Sequence, residues 1–90
     1  MAETKEERRK RTIHRLHRIQ GQLAALEKSI EADQPCKDLV IQARAIEKAT
    51  ASLISHMFAG YLLHQSKDVM QTDVDRAVGE ISDLFKLVNQ

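Results

Sequence analysis

Apolar side chains recur every three or four residues along three stretches of the chain, which is the spacing of a helix with one buried face. The first stretch carries Ile13, Leu16, Ile19, Leu23, Leu26 and Ile30. It should begin at Thr4, which has the capping-box spacing with Glu7, and end near Ala32. The segment Asp33-Gln34-Pro35 interrupts the pattern, because proline cannot donate a helical hydrogen bond but suits a first turn. The sequence therefore predicts a long first helix that ends at a tight turn.

The second stretch begins at the only cysteine, Cys36, and runs to Gln65. Its small and apolar positions also keep helical spacing: Leu39, Ala43, Ile46, Ala49, Leu53, Met57 and Gly60. A helix of this length is a rod of roughly 45 Å, and the short connection predicts an antiparallel hairpin with the first helix. One small chain cannot cover such a rod, so we expect it to pack against other copies of the chain.

The third stretch follows a polar segment, residues 66–71, that has no clear periodicity and is predicted to be a loop. Thr72 and Asp75 have the spacing of another capping box. One apolar face follows them: Val74, Val78, Ile81, Leu84, Phe85 and Val88. We therefore predict an all-α fold of three helices, in which a long antiparallel hairpin is joined by a short C-terminal helix.

The composition limits both the core and the compartment. The 90 residues should form one domain, residues 1–90, with a small core that is aliphatic because only 3% of the residues are aromatic. A single cysteine excludes an internal disulfide, and no apolar run approaches the roughly 18 residues of a membrane span. The charged N-terminus is unlike a signal peptide. We expect a cytoplasmic protein with no membrane partner.

No catalytic arrangement emerges from the residue pattern. The sequence lacks a Ser-His-Asp pattern on mixed structure, a glycine loop that cradles phosphate and a pair of carboxylates in a cleft. We therefore expect neither an enzyme nor a bound cofactor.

The net charge of +1 hides a strong asymmetry. Residues 1–18 carry seven basic and three acidic side chains, a net charge of +4, whereas residues 19–90 carry a net charge of −3. Four arginines at helical spacing form a basic face on the first helix: Arg8, Arg11, Arg15 and Arg18. Their guanidinium groups should face solvent, where they suit the phosphate oxygens of double-stranded DNA. The alternative is a solvated surface with local ion pairs, such as Glu7 with Arg11.

Cys36 falls in the first turn of the second helix, where free amide groups and the helix dipole favour a thiolate. The alternative is a small buried residue with an inert thiol. A strong metal site would need further ligands, and the chain has four histidines: His14, His17, His56 and His64. His14 and His17 extend the polar face of the first helix, while His56 and His64 are too far apart for joint chelation. His64 can instead face Cys36 of a neighbouring subunit.

Two segments of the sequence carry a resemblance to a known family. The first is Arg15-Leu16-His17-Arg18-Ile19-Gln20-Gly21-Gln22-Leu23, followed by Leu26, Ile30 and Glu31. The second is Cys36-Lys37-Asp38-Leu39, followed by Gln42 and Ala45. Together they resemble the copper-sensing, nickel/cobalt-sensing and formaldehyde-sensing repressor family over nearly the whole chain, residues 6–87.

The resemblance implies an all-helical, disc-shaped homotetramer, built as a dimer of dimers from antiparallel helix pairs. Members of the family repress transcription by binding operator DNA and release it when an inducer reaches a site between subunits. Carried onto this sequence, Arg15 and Arg18 would contact DNA and Cys36 would belong to the sensor site.

The sequence departs from the metal-sensing members of the family. Those members carry a histidine 25 positions after the cysteine and a cysteine or histidine 29 positions after it, where this chain has Tyr61 and Gln65. Neither side chain is a good ligand for Cu(I) or Ni(II), and His64 lies one residue, about 100°, out of register. We therefore expect no metal ligands at these positions.

Other members of the family sense reactive small molecules. Persulfide sensors use a second cysteine at the position of Gln65, and formaldehyde sensors use an N-terminal proline amine, for which Ala2 would supply a primary amine after removal of Met1. The leading hypothesis is a repressor whose Cys36 reacts with a thiol-reactive species such as formaldehyde or reactive sulfur. One alternative is a Cu(I) or Zn(II) sensor that uses Cys36 and His64. Another is a helical interaction module that does not bind DNA.

Overall fold

The first helix, α1, spans Lys5–Glu31 in the computed structural model, which describes residues 3–65 and 71–90 and, of Gln65, only the backbone. Thr4 is its N-cap, as predicted, and its hydroxyl accepts a hydrogen bond from the Glu7 amide at 3.1 Å. The same hydroxyl donates to Glu7 Oε1 at 3.0 Å. After α1 the chain turns at Asp33, whose φ of 54° lies in the left-handed region that aspartate tolerates.

The second helix, α2, spans Cys36–Gly60 and forms the predicted antiparallel hairpin with α1. Pro35 is its N-cap, and the Pro35 carbonyl accepts from the amides of Asp38 and Leu39. Beyond Gly60 the helix widens, and residues Tyr61–Gln65 form one π-helical turn. The predicted second helix is therefore confirmed, with a change of helix type in its last turn.

The third helix, α3, spans Val74–Val88. Its N-cap is Asp73, whose carboxylate accepts from the Arg76 amide at 3.1 Å. The predicted capping box of Thr72 and Asp75 is therefore wrong by one residue. The predicted loop is wrong at Gln71, which is helical. The rest of that loop, residues 66–70, lies outside the described residues, as does the predicted sensor residue Ala2.

The hairpin and α3 bury very little within one chain. Among the described residues, only Ile19, His56 and Ala77 are buried. The radius of gyration is 17.4 Å, compared with about 12 Å for a compact domain of this length. In the part of the chain that is described, no helix is long and apolar enough to cross a membrane. The chain is thus an elongated all-α unit, as predicted, with most of its apolar surface uncovered.

Candidate nucleic-acid and sensor surfaces

A cluster of basic side chains covers the N-terminal half of α1, and we call it the basic surface. It lines an open cleft of about 500 Å³. Its members are Lys10, Arg11, His14, Arg15 and Arg18. None of the described carboxylates lines this cleft, so its lining side chains carry a net positive charge, as a surface for DNA phosphates requires.

Two arginines of the basic surface are held by hydrogen bonds to other side chains. Arg15 Nη1 donates to Ser52 Oγ on α2 at 3.1 Å. Arg11 Nη1 donates to Glu3 Oε1 at 2.8 Å, although its side chain remains 57% exposed. The predicted pairing of Arg11 with Glu7 is therefore replaced by a pairing with Glu3. An exposed ion pair of this kind contributes little, so Arg11 stays available to phosphates.

Arg8 has a different environment, and the expectation that all four guanidinium groups face solvent is wrong for it. Its side chain is only 14% exposed. Arg8 Nη2 donates to the His56 carbonyl at 2.9 Å and lies 3.2 Å from His56 Nδ1, while Nη1 donates to Glu3 at 3.2 Å. Gly60 makes this position possible, because a Cβ there would lie 2.8 Å from Arg8 Nε.

His56 is the buried polar residue of the hairpin. Its Nε2 lies 2.8 Å from the hydroxyl of Thr12. Burial and then the positive charges of Arg8, Arg15 and Arg11 lower the pKa of His56, against a smaller opposing effect of Glu3. The lowered pKa favours the neutral imidazole, which can accept a hydrogen bond at one ring nitrogen.

The predicted sensor residues lie at opposite ends of α2. Cys36 is the first residue of that helix and carries an exposed free thiol. Tyr61 and His64 lie beyond its last residue, which puts Tyr61 roughly 37 Å from Cys36 along the helix axis and His64 further still. One chain therefore does not bring the predicted sensor residues together. An antiparallel α2 from a second copy would place the two ends side by side.

Tyr61 connects the π-helical turn to α3. Its hydroxyl donates to Glu80 Oε2 at 2.5 Å, and Arg76 Nε donates to the other oxygen of Glu80 at 3.3 Å. The hydrogen bond to Glu80 is the main reason that the pKa of Tyr61 is raised, and it also lowers the pKa of Glu80. Tyr61 thus links the π-helical turn that follows α2 to the third helix.

His64 lies against the start of α1 and not on an open surface. Its Nε2 is enclosed and has no hydrogen-bond partner among the described residues. It lines a cleft of about 300 Å³ together with Lys5, Arg8, Arg9 and Tyr61. For Nε2 to bind a metal ion shared with another chain, the ring would have to turn away from α1.

Comparison with known proteins identifies the family. The family model described as metal-sensitive transcriptional repressor matches residues 8–88. The chain belongs to this family. The copper-sensing transcriptional repressor CsoR of Bacillus subtilis (strain 168) is 30% identical over 74 residues, which cover 81% of this chain and 73% of that relative. No solved structure gives a significant match.

Membership confirms the predicted family and makes the chain a transcriptional repressor. The family is one of regulatory proteins, and repression implies DNA binding and oligomerisation. Within residues 3–65 and 71–90 of this repressor, no three His, Cys, Asp or Glu side chains lie close enough to hold one metal ion. The roles assigned to Cys36, Tyr61, His64 and Gln65 stay predictions.

Sequence reasoning missed two side chains of this repressor that connect its elements. Glu80 has no predicted role, because nothing in its spacing within the third helix links it to Tyr61. His56 stood out no more than the other histidines, although it falls at helical spacing between Leu53 and Gly60 on the apolar face of α2. A polar residue on an apolar helix face could have indicated the contact, because a buried polar residue needs a hydrogen-bond partner.

Proposed function

We propose that this repressor is a homotetramer, a dimer of dimers, that binds operator DNA in the cytoplasm and releases it when an inducer acts at Cys36. The observation that carries the proposal is the basic surface on α1, where three arginines line the cleft and none of the described carboxylates does. Contacts of arginine to phosphate give an affinity that falls steeply with salt. Arg11, Arg15 and Arg18 are the proposed DNA contacts, and Arg8 is excluded from them by its contacts with α2.

The apolar surface of the chain supports the proposed assembly. Large apolar residues from both long helices and from α3 are 40–62% exposed in the single chain. Ile30, Ile41, Met57 and Phe85 are examples that span its whole length. Exposed apolar residues along the whole length of a chain are typical of a subunit interface. Pairing of α2 helices would bury those that α2 carries.

The proposed sensor site is formed by two chains. Cys36 of one chain and Tyr61 of another meet when two α2 helices pack antiparallel, because the two residues lie at the two ends of the same helix. An inducer that binds there changes the fit between subunits. It releases DNA if it binds more tightly to an arrangement in which the basic surfaces no longer match the duplex.

Cu(I) is the inducer class that the similarity favours, since the family is metal-sensitive and the Bacillus subtilis relative is copper-sensing. The exposed thiol of Cys36 supplies one soft ligand of the kind Cu(I) prefers. His64 is the proposed second ligand, from another chain, once its ring turns out of the cleft beside Arg8.

A thiol-reactive inducer such as formaldehyde or reactive sulfur is the second candidate. A specific observation favours it, because the Tyr61 hydroxyl is committed to Glu80 and offers no soft ligand. The Cys36 thiol is exposed at a helix start and can react without a second protein ligand.

Operator binding measured by fluorescence anisotropy tests the proposal. The probe is duplex DNA from the region upstream of the gene for this chain, and the reduced protein is titrated separately with Cu(I), formaldehyde and a persulfide donor. Each titration is repeated on Cys36→Ala and His64→Ala. Release by Cu(I) that both variants lose supports the metal site, whereas release by formaldehyde or persulfide that only Cys36→Ala loses supports the thiol-reactive site.

The controls separate DNA binding from sensing. Absence of binding at low salt would leave a helical interaction module that does not bind DNA. Binding that no inducer reverses would remove Cys36 from the sensor site. Sedimentation of the free protein tests the tetramer, and a monomer at micromolar concentration would contradict the assembly.

A further inference from the structure

We propose that Arg8 is a positioning residue whose hydrogen bonds hold α1, the helix that carries the basic surface, against the end of α2. Gly60 leaves the space that the Arg8 side chain occupies. We call this set of contacts the tie. The inference rests on the proposed function, because DNA binding is the property that this tie would support. It assigns Arg8 a role other than a phosphate contact. It also gives His56 a function within the repressor.

The hydrogen bonds around His56 form a closed ring. Arg8 can only donate, so its Nη2 donates to His56 Nδ1 at 3.2 Å and the proton of the neutral imidazole lies on Nε2. Nε2 then donates to Thr12 Oγ1 at 2.8 Å, and the Thr12 hydroxyl donates to the Arg8 carbonyl at 2.9 Å. Each of the three hydrogen bonds that close the ring thus has one donor and one acceptor, whereas Arg8 Nε is enclosed and has no hydrogen-bond partner among the described residues. The ring joins two successive turns of α1 to one residue of α2.

The tie reaches α2 where that helix changes its hydrogen-bonding pattern. Arg8 Nη2 also donates to the His56 carbonyl at 2.9 Å, one turn before Gly60, the last residue of α2. The π-helical turn that follows carries Tyr61 and His64. Any shift of this turn therefore moves the backbone that Arg8 holds, and it moves α1 with it.

Gly60 is the position that makes the tie possible. A Cβ at this residue would lie 2.8 Å from Arg8 Nε and 3.1 Å from Arg8 Cδ. The side chain of Arg8 thus crosses α2 at a point where only glycine leaves room. Gly21 and Gly79 provide the contrast, because a Cβ at either of them would meet nothing within 4 Å.

A double-mutant cycle tests the tie through operator affinity and thermal unfolding. Gly60→Ala displaces Arg8, so we expect operator affinity to fall by about tenfold, which is in the range for residues in contact, and Tm to fall. In the Arg8→Ala background the added Cβ meets no guanidinium, and Gly60→Ala should cause no further loss of either property. Gly21→Ala is the matched control; it should leave operator affinity close to that of wild type and should not lower Tm, because its Cβ meets nothing within 4 Å and alanine favours the helix more than glycine does. Additive effects of Gly60→Ala and Arg8→Ala would overturn the proposal.

The salt dependence distinguishes a positioning residue from a DNA contact. Arg8→Ala should weaken operator binding while the slope of log affinity against log salt stays that of wild type. A slope that falls by about 0.9 for each copy of Arg8 at the duplex would make Arg8 a phosphate ligand and overturn the proposal.

His56→Asn supplies a carboxamide oxygen near the position of Nδ1 and should bind operator DNA better than His56→Leu, which offers Arg8 no side-chain acceptor. Equal affinities of these two variants would contradict the ring.

Failure of the proposed function is recognised separately. If the wild-type protein binds no duplex even at low salt, the proposed function fails, and the Tm cycle alone decides whether Arg8 and Gly60 are coupled. If the wild-type protein binds DNA and the cycle is additive in both measurements, the tie fails and the proposed function stands.

Discussion

Arg15→Ala is the substitution that tests the basic surface most directly. Arg15 lies in the cleft that the basic side chains line, and its guanidinium donates to Ser52 Oγ at 3.1 Å. Among the described residues, no carboxylate forms a salt bridge with it. Removal of its guanidinium group should therefore remove a phosphate contact without releasing a buried acid.

The magnitude follows from counterion release. Each phosphate contact contributes about 0.9 to the slope of log affinity against log salt, so a fourfold rise in salt weakens binding by about 3.5-fold per contact. Arg15→Ala should flatten the slope by about 0.9 for every copy of Arg15 that faces the duplex. At low salt, removal of one charge-assisted hydrogen bond should weaken binding by about tenfold per phosphate contact.

Anisotropy titrations of a fluorescent duplex at four or more salt concentrations measure this slope. Two variants serve as controls. Ser52→Ala removes the hydrogen-bond partner of Arg15 but keeps its charge, and Arg44→Ala removes an exposed arginine that pairs with Glu47 on α2. Both controls should keep the wild-type slope. An unchanged slope in Arg15→Ala, or an equal reduction in Arg44→Ala, would refute the assignment of the DNA surface.

Three further predictions concern local interactions. Asp73→Ala should lower the free energy of unfolding by about 1 kcal/mol through loss of the N-cap of α3, whereas Asp73→Asn should retain most of the stabilisation by the cap. Urea denaturation compares the two variants, and equal losses of stability would contradict the cap. The hydrogen bond to Glu80 raises the pKa of Tyr61, the only tyrosine, above its usual value of 10.0, so an ultraviolet titration of Glu80→Gln should give a lower phenol pKa, and the same pKa in both proteins would refute the contact. In the folded chain the pKa of His56 lies below its ordinary value of 6.5, because burial and nearby arginines disfavour the imidazolium ion. The unfolded chain therefore binds the proton first, and stability should decrease as the pH falls below 6.5. His56→Asn should remove this part of the pH dependence in thermal unfolding, whereas an unchanged profile would show that His56 does not titrate as inferred.

The helices themselves were predictable because their signals are local. Thr4 and Glu7 start α1 as the capping-box spacing indicates, and Pro35 precedes Cys36 at the start of α2. Apolar residues three or four apart identified the faces that pair in the hairpin. Each of these signals depends on residues within one or two turns, so the sequence carries them without knowledge of the tertiary structure.

The start of α3 shows where such signals lose their resolution. Thr72 and Asp73 are adjacent and both have side chains that can cap a helix. The structure uses Asp73, whose extended backbone aims its carboxylate at the Arg76 amide. A spacing rule applied to Thr72 and Asp75 is satisfied equally well in sequence, and only the backbone conformation decides between the two.

The position of Arg8 could not be predicted from the helical spacing of the arginines. Arg8 and Arg15 are seven residues apart and differ by only about 20° around the helix. They diverge because α2 offers them different partners, Ser52 to Arg15 and the His56 carbonyl beside Gly60 to Arg8. The deciding partner of Arg8 lies 48 residues away in sequence, so a pattern within α1 carries no information about it.

The proposed sensor site is the feature that a single chain reveals least, for a geometric reason. The 25 residues of α2 separate Cys36, its first residue, from Tyr61, which follows its last. Under the proposed function, one inducer therefore touches both residues only by contacting two chains at once. Binding of such a ligand is linked to assembly, because it stabilises the associated state and not the free chain. Its apparent affinity should therefore rise with protein concentration around the point at which the chains associate. Because α2 is too long for one chain to form the proposed site, inducer binding would be coupled to the arrangement of the subunits. Through the contacts of Arg8 with α2, it would also be coupled to the position of the basic surface.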